Sequence, residues 1–445
     1  MAILSGWPFF IYLVNNITKI QGMLKIILLV VLYLLFPVII IKMCQKWSLF
    51  KKIGSIVLAY GFGLLFGNLG ILPSGSPNYL VACQERVAIP GPEMAVLIEN
   101  GTLSADDRFV NQIRAVQDNI TMIVIPLALP LLLFSLNIRK WLRHAKTGFL
   151  SMLLALVSVV IIIILAYIIF RDKVPDAGKV SGMLVGIYTG GTPNVASIKA
   201  ALNVDSNLFL MTHTSDLVVG AFVIIFIITL GPRVFGLFLP KYKYLESNGD
   251  SESLIAEAES MEDYSRLVGK GAGINILKAL GVAAAVFAVS GGISLMVPSS
   301  YQMMVVILLI TTLGLGASLI PAINRIKNSF QLGMYFILIF SFVVSSMADL
   351  GMMMSIEYMN ILLMVAFVVI GSLLLHLILS AIFRVNVDDF LITTTALVYS
   401  PPFVPVVAGA LKNKEIIITG LTVGIIGFAI GNYIGIAMGQ FLSGL

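Results

Sequence analysis

Between Tyr188 and Asn203 the chain reads YTGGTPNVASIKAALN, and the first half of that stretch has the makings of a binding site. Gly190 and Gly191 weaken a helix, while Pro193 lacks an N–H to donate and clashes with the preceding turn. Thr189, Thr192, Asn194 and Ser197 add hydroxyls and an amide, whose oxygens suit a hard cation or a hydrogen-bonded solute. The stretch lies in a strongly apolar chain, where irregular polar backbone survives only if it is buried in protein or lines a watery cavity. A second stretch, YSPPFVPVVAGALKN from Tyr399 to Asn413, follows the same plan. An aromatic and a small hydroxyl come first, then a breaker pair, a further proline and a small-residue helix. Interrupted apolar segments at matching places in two halves point to a transporter site. The candidate substrate-binding residues are therefore Thr189, Gly190, Gly191, Thr192, Pro193 and Asn194 in the first stretch. Ser400, Pro401, Pro402 and Pro405 are their counterparts in the second. The competing explanation is a packing kink, since Pro and Gly are common in membrane helices.

Ionisable residues inside apolar spans are rare and usually functional. NLFLMTHTSDLVVG places His213 and Asp216 three residues apart, on one helical face, beside Thr212, Thr214 and Ser215. A carboxylate among hydroxyls can coordinate Na⁺ or carry a proton; at a membrane interface the same groups would simply be hydrated. Asn432 is the polar candidate in the last apolar segment, and Asp349 follows Ser345 and Ser346 at the end of another. The ion-coupling candidates are thus Asp216, His213, Thr212, Asn432 and Asp349. Gly427, Gly431, Gly435 and Gly439 recur every four residues and predict a close helix-packing ridge. His376, alone in LLLHLIL, reads as a helix–helix hydrogen-bonding residue. Pro126 and Pro130 should bend their helix; such a bend can open space beside a hairpin tip, but a structural kink is explanation enough.

These residues need a membrane scaffold to position them. The chain has 445 residues, 59% of them hydrophobic and 11% charged, a balance that no soluble domain of this length shows. The fold class expected is an all-α polytopic membrane protein. Spans of about 20 apolar residues are predicted at 24–42, 53–72, 119–137, 148–170, 207–231, 274–297, 301–322, 332–353, 358–382 and 416–441. The run 5–21, interrupted by Asn15 and Asn16, reads as an interfacial helix. The organisation that follows is an N-terminal segment 1–22, a first transmembrane repeat 23–240, a cytoplasmic linker 241–270 and a second repeat 271–445.

Basic clusters at 42–52, 139–146, 233–243 and 325–327 should be cytoplasmic. They all fall on one side only if each broken segment is a re-entrant hairpin, which leaves five crossings per half. An odd number inverts the second half, so two inverted-topology repeats are expected, each of about five helices plus one hairpin. A broken helix that crosses is the alternative. Cys44 and Cys83 flank the second span and are not expected to pair. No Walker motif, HExxH or GxSxG is present, so the chain reads as neither an ATPase nor a hydrolase and is not expected to be an enzyme. The start lacks the positive n-region of a signal peptide.

GIYTGGTPNVASIKAAL, followed by SDLVVGAF, resembles the first signature of the integral-membrane family named domain of unknown function 819. TTTALVYSPPFVPVVAGALKN to VGIIGFAIGNYIGIAMG resembles the second, with Ser400, Pro401 and Pro402 in place of the usual Gly-Gly-Pro turn. IPLALPLLLFSLNIRKWLR and LLLHLIL fit two further helices. The resemblance implies kinship with the cation–proton antiporter and anion transporter superfamily, which includes sodium-coupled glutamate, citrate and bile-acid symporters. It implies crossing inverted repeats and a hairpin-bearing core that slides against a scaffold, with a homodimer by analogy.

The function expected is Na⁺- or H⁺-coupled secondary transport of a small organic anion, amino acid or related metabolite, by elevator-like alternating access. The other reading is a membrane-embedded ligand sensor or scaffold with a transporter-like core that does not transport. The partners expected are the lipid bilayer and a small solute, without nucleic acid. No cofactor or metal beyond a bound Na⁺ is expected, and the location is the bacterial inner membrane, crossed many times.

Overall fold

The computed structural model describes residues 7–48, 50, 54–83, 87–134, 148–242, 264–267, 272–347, 356–399, 403–411, 413 and 416–445, with side chains described from Met23 onwards. Among these residues the chain is helical throughout, without strands. Ser400, Pro401, Pro402, Asp349, the basic cluster 139–146 and most of the linker 241–270 lie outside the described residues, and the side chain of Pro405 is not described.

The chain divides into two compact units, one formed by 1–123 with 338–349, the other by 124–337 with 350–445. The first contains α1 (Trp7–Lys46), α2 (Ser55–Asn68), α3 (Pro77–Cys83), α4 (Gly91–Glu99), the start of α5 (Ala105–Phe134) and the end of a later helix, Ser329–Ser346. The run that reads as interfacial from sequence is continuous in backbone with the first span, since α1 starts at Trp7. Tyr33, Gln117 and Ser346 form a buried triad. Ser346 donates to the Val343 carbonyl (2.6 Å), so the Tyr33 hydroxyl must donate to Ser346 Oγ (2.7 Å) and receive Gln117 Nε2 (2.7 Å). Such internal satisfaction is what apolar surroundings demand of polar groups.

The segment 73–118 is a folded cap. Tyr79, Cys83, Ile89, Met94, Leu103 and Val110 make its core. Asn111 ties it together by receiving the Ile89 N–H (2.7 Å), donating to the Ile89 carbonyl (2.9 Å) and accepting from Tyr79 (3.0 Å).

The second unit holds α6 (Phe149–Phe170), α7 (Ala177–Gly190), α8 (Thr192–Ala201), α9 (Ser206–Thr229), α10 (Gly231–Phe235), α11 (Ala272–Ser294), α12 (Gln302–Ser318), α13 (Pro321–Asn324), most of α14 (Ser329–Ser346), α15 (Ile356–Ile382), α16 (Val387–Val398), α17 (Val404–Leu411) and α18 (Ile416–Ser443). Nine described helices are long and apolar enough to cross a membrane. α2 is the exception among the predicted spans, at 14 residues. α6 shows how sequence sets orientation: Leu150, Leu153, Val157, Ile161, Leu165 and Ile168 form an exposed apolar stripe at three- and four-residue spacing. Ser151, Ser158 and the remaining face are buried, so the exposed stripe meets lipid.

Candidate functional site

The break between α7 and α8 is set at Gly191, whose φ of 68° and ψ of −152° belong to a region open essentially to glycine alone. Pro193 occupies the first turn of α8, where a missing N–H costs least. The chain then doubles back. Added Cβ atoms at Gly182, Gly186 and Gly190 would meet Leu202, Ile198 and Asn194, in that order, so α7 and α8 run antiparallel as a helical hairpin. The second segment closes likewise. Asn413 donates to the Asp388 carboxylate (2.8 Å), bringing together the start of α16 and the residue beyond α17. Asn386 caps α16 by accepting from the Asp389 N–H (2.8 Å). The first broken segment therefore folds back on itself, and the two ends of the second lie together.

α18 arranges the two hairpins. Reading from its N-terminus, Gly420 lies against Ile392 and Val404 of the second hairpin, and Gly427 against Leu397. Gly427 also faces the Thr189 carbonyl at the tip of the first hairpin. Gly431 then faces Thr189 and Asn194, Gly435 faces Ile198, Gly439 faces Leu202, and Ser443 lies by Gly178 at the base. The two hairpins therefore enter from opposite ends of one 28-residue helix, about 42 Å long at 1.5 Å per residue. Thr189 of the first and Leu397 of the second meet at Gly427, near its middle. The glycine ridge serves this contact directly, because any Cβ there would occupy space already held by hairpin atoms.

Two of the candidate residues face different surroundings. Asp216 accepts a hydrogen bond from the Tyr188 hydroxyl (3.1 Å), at the end of α7. One turn on, the Gly220 carbonyl accepts from the Tyr399 hydroxyl (3.0 Å), at the end of α16. Equivalent tyrosines of the two hairpins thus dock on successive turns of one face of α9, with Asp216 between them and half-buried. Both tyrosines precede the breaker residues in sequence, the signal by which they could have been chosen as site residues. Thr212, Thr214 and Ser215 donate back to the carbonyls of Leu208, Leu210 and Met211, so their protons are committed to their own helix. His213 is buried and stacks on Phe209 at 5.8 Å.

Asn194 and Asn432 line a small cavity together with Leu129, Leu132, Leu133, Pro193 and Phe428. Its α5 wall follows Pro126 and Pro130, where a bend can open space. Asn194 donates to the Gly427 carbonyl (3.3 Å) and Asn432 to Thr311 Oγ1 (3.1 Å). Thr311 on α12 is a partner that sequence reasoning did not single out. Thr189 is buried and donates to the Val185 carbonyl (2.7 Å), while Thr192 is half-buried. A further small cavity is walled by Tyr188, Thr394 and His376 among apolar side chains. His376 there contacts Thr394 (3.2 Å) and Ser151 (3.3 Å), joining α15 to α16 and α6. No cluster of three His, Cys, Asp or Glu side chains suited to a metal ion occurs among the described residues.

The chain is similar to the uncharacterized membrane protein YjcL of Bacillus subtilis (strain 168), with 25% identity over 410 residues, covering 89% of this chain and 91% of that protein. The model of the protein family of unknown function DUF819 matches residues 105–445, which take in both hairpins, α9 and α18. The chain is a multi-pass membrane protein and belongs to the DUF819 family.

Proposed function

We propose that this protein is a secondary transporter that couples movement of a small organic solute to Na⁺ or H⁺, with Asp216 as the coupling carboxylate. The observation that carries the reading is that Thr189 of the first broken segment and Leu397 of the second meet at Gly427, while α9 takes a hydrogen bond from a tyrosine of each, Tyr188 and Tyr399. Broken membrane segments whose ends face one another create polar backbone at mid-membrane, which a soluble ligand can reach only through a watery cavity. A carboxylate held by one tyrosine hydrogen bond keeps its other oxygen for a cation or a proton. Inverted repeats, with one body sliding against another, would expose such a site to either side in turn. The reading involves no covalent chemistry and no cofactor besides the coupling ion.

The test is flux. Liposomes holding the purified protein and a pH-sensitive dye are given a Na⁺ gradient, with and without small amino acids and organic acids. The expected result is solute- or Na⁺-dependent movement that Asp216→Asn abolishes. Undiminished flux through Asp216→Asn would overturn the assignment of the coupling group.

A further inference from the structure

The small cavity beside Tyr188 stands between the Asp216 carboxylate and a buried histidine. Val369, Ser372 and His376 line it from α15, Thr394 and Leu397 from α16, and Tyr188 from the end of α7. The three- and four-residue spacings lay one stripe of α15 and one of α16 along it. It has room for about one water molecule. A buried water requires about two to four polar partners, and Tyr188, Ser372 and Thr394 bring hydroxyls to this wall.

The protons of those groups can be assigned from their contacts. Tyr188 donates to Asp216 (3.1 Å) and Ser372 to the Val369 carbonyl (3.1 Å), so both oxygens remain as acceptors. Ser151 donates to the Asp389 carbonyl (3.3 Å), so in its contact with His376 Nε2 (3.3 Å) the ring nitrogen carries the proton. Nδ1 is then the bare nitrogen of a neutral imidazole, and Thr394 donates to it (3.2 Å). One cavity-lining hydroxyl is thus bonded to Asp216, and another to the one ring nitrogen that can accept a proton.

The ionisable groups on the elements packed against α15 are few. α6 bears none from Phe149 to Ala166, and α9 bears Asp216 and His213. α16 bears Asp388 and Asp389 in its first turn, bonded to Asn413 and Asn386. Of these, Asp216 is the one bonded to a residue that lines the cavity.

We infer that one water in this cavity links Tyr188 to Thr394, and that His376 exchanges a proton with Asp216 along the chain so formed. The Asp216 carboxyl gives its proton to Tyr188 Oη as the Tyr188 proton passes to the water. The water gives one of its own to Thr394 Oγ1, and Thr394 gives its proton to Nδ1. The three relaying groups end with as many protons as they began; Asp216 is left a carboxylate and His376 an imidazolium. The inference rests on the reading of Asp216 as the coupling carboxylate and makes H⁺ the ion that it handles.

Nitrogen-15 NMR of the detergent-purified full chain, labelled at its three histidines, tests this. The His376 signals are those missing from His376→Gln. The expected result is that its ring nitrogens change protonation across the acid and neutral range as single averaged signals, because the chain passes protons quickly. Thr394→Val removes the hydroxyl next to Nδ1 and should slow that exchange about 100-fold or more, splitting the signals. Thr394→Ser should keep them averaged. Tyr188→Phe breaks the chain at its other end and should split them too, while His213, which stacks on Phe209, keeps its signals unchanged. Averaged signals in both Thr394→Val and Tyr188→Phe would overturn the route, and a His376 ring that stays neutral at every pH would overturn the exchange. Fast exchange at His376 without flux in liposomes would sink the transport reading alone. Flux that Asp216→Asn abolishes, with His376 neutral throughout, would sink this inference alone.

Discussion

Gly427→Ala is the most direct challenge to the placement of Thr189 and Leu397. A Cβ at this position would overlap the Thr189 carbonyl oxygen and lie 2.9 Å from Leu397 Cδ2 and 3.1 Å from the Thr189 carbonyl carbon. Two of these atoms are backbone, and they stand two residues before the Gly191 turn, so no rotamer change removes the clash. Overpacking of a filled site costs about 1–3 kcal/mol, and backbone that cannot yield places this one towards about 3 kcal/mol. Gly281→Ala in α11 is the matched control, because nothing lies within 4 Å of a Cβ there. That substitution should gain about 0.5–1 kcal/mol by helix propensity. The two variants should therefore differ by about 2–4 kcal/mol in unfolding free energy. Thermal or denaturant unfolding in matched detergent measures the difference, and flux in liposomes shows whether the displaced tip still transports. Equal midpoints for the two variants would refute the meeting of Thr189 and Leu397 at Gly427.

Two other expectations follow from buried hydrogen bonds. Asn413→Leu removes the donor to Asp388 at the base of the second hairpin and leaves a buried carboxylate oxygen unpaired. It should destabilise the protein by about 1–3 kcal/mol, with faster amide exchange over 387–398, and unchanged exchange there would show that the bond does not close the hairpin. Asn111→Ala loses three bonds that hold the Ile89 backbone and Tyr79 in the cap. It should open 87–104 to limited proteolysis while leaving the melting of the hairpin-bearing unit nearly unchanged; resistance equal to the parent would argue against that role.

The two hairpins also explain why Asn432 and Asp216 make different contacts, although the sequence suggests one ion site. Asn432 lies on α18, on the face that meets Thr311 and the Asn194 cavity. Asp216 lies on α9, where Tyr188 reaches it from the end of α7. The first hairpin thus presents Tyr188 and Asn194 to different neighbours from the two limbs of one turn. Thr212 and His213 are drawn in other directions, the first to its own helix and the second to Phe209. A three-residue offset puts His213 and Asp216 within reach of one another on a bare helix; packing then gives each its own contact.

The apolar runs determined by themselves that this is a helical membrane protein, because a bilayer admits few other structures for such lengths of hydrocarbon side chain. Gly190, Gly191 and Pro193 determined that the segment at 188–203 must break, since backbone geometry and the missing proline N–H act locally. The four-residue glycine spacing after Gly427 likewise announced a packed ridge. Tertiary structure decided what those local facts could not: that the chain reverses at the break, that α18 seats both hairpins from opposite ends, and that Tyr188 and Tyr399 dock on α9 at Asp216 and Gly220. Those outcomes depend on contacts between residues on different helices, from 28 positions apart for Tyr188 with Asp216 to 233 for Asn194 with Gly427. Period and composition describe one helix at a time, whereas a hydrogen bond between two helices exists only once both have been placed.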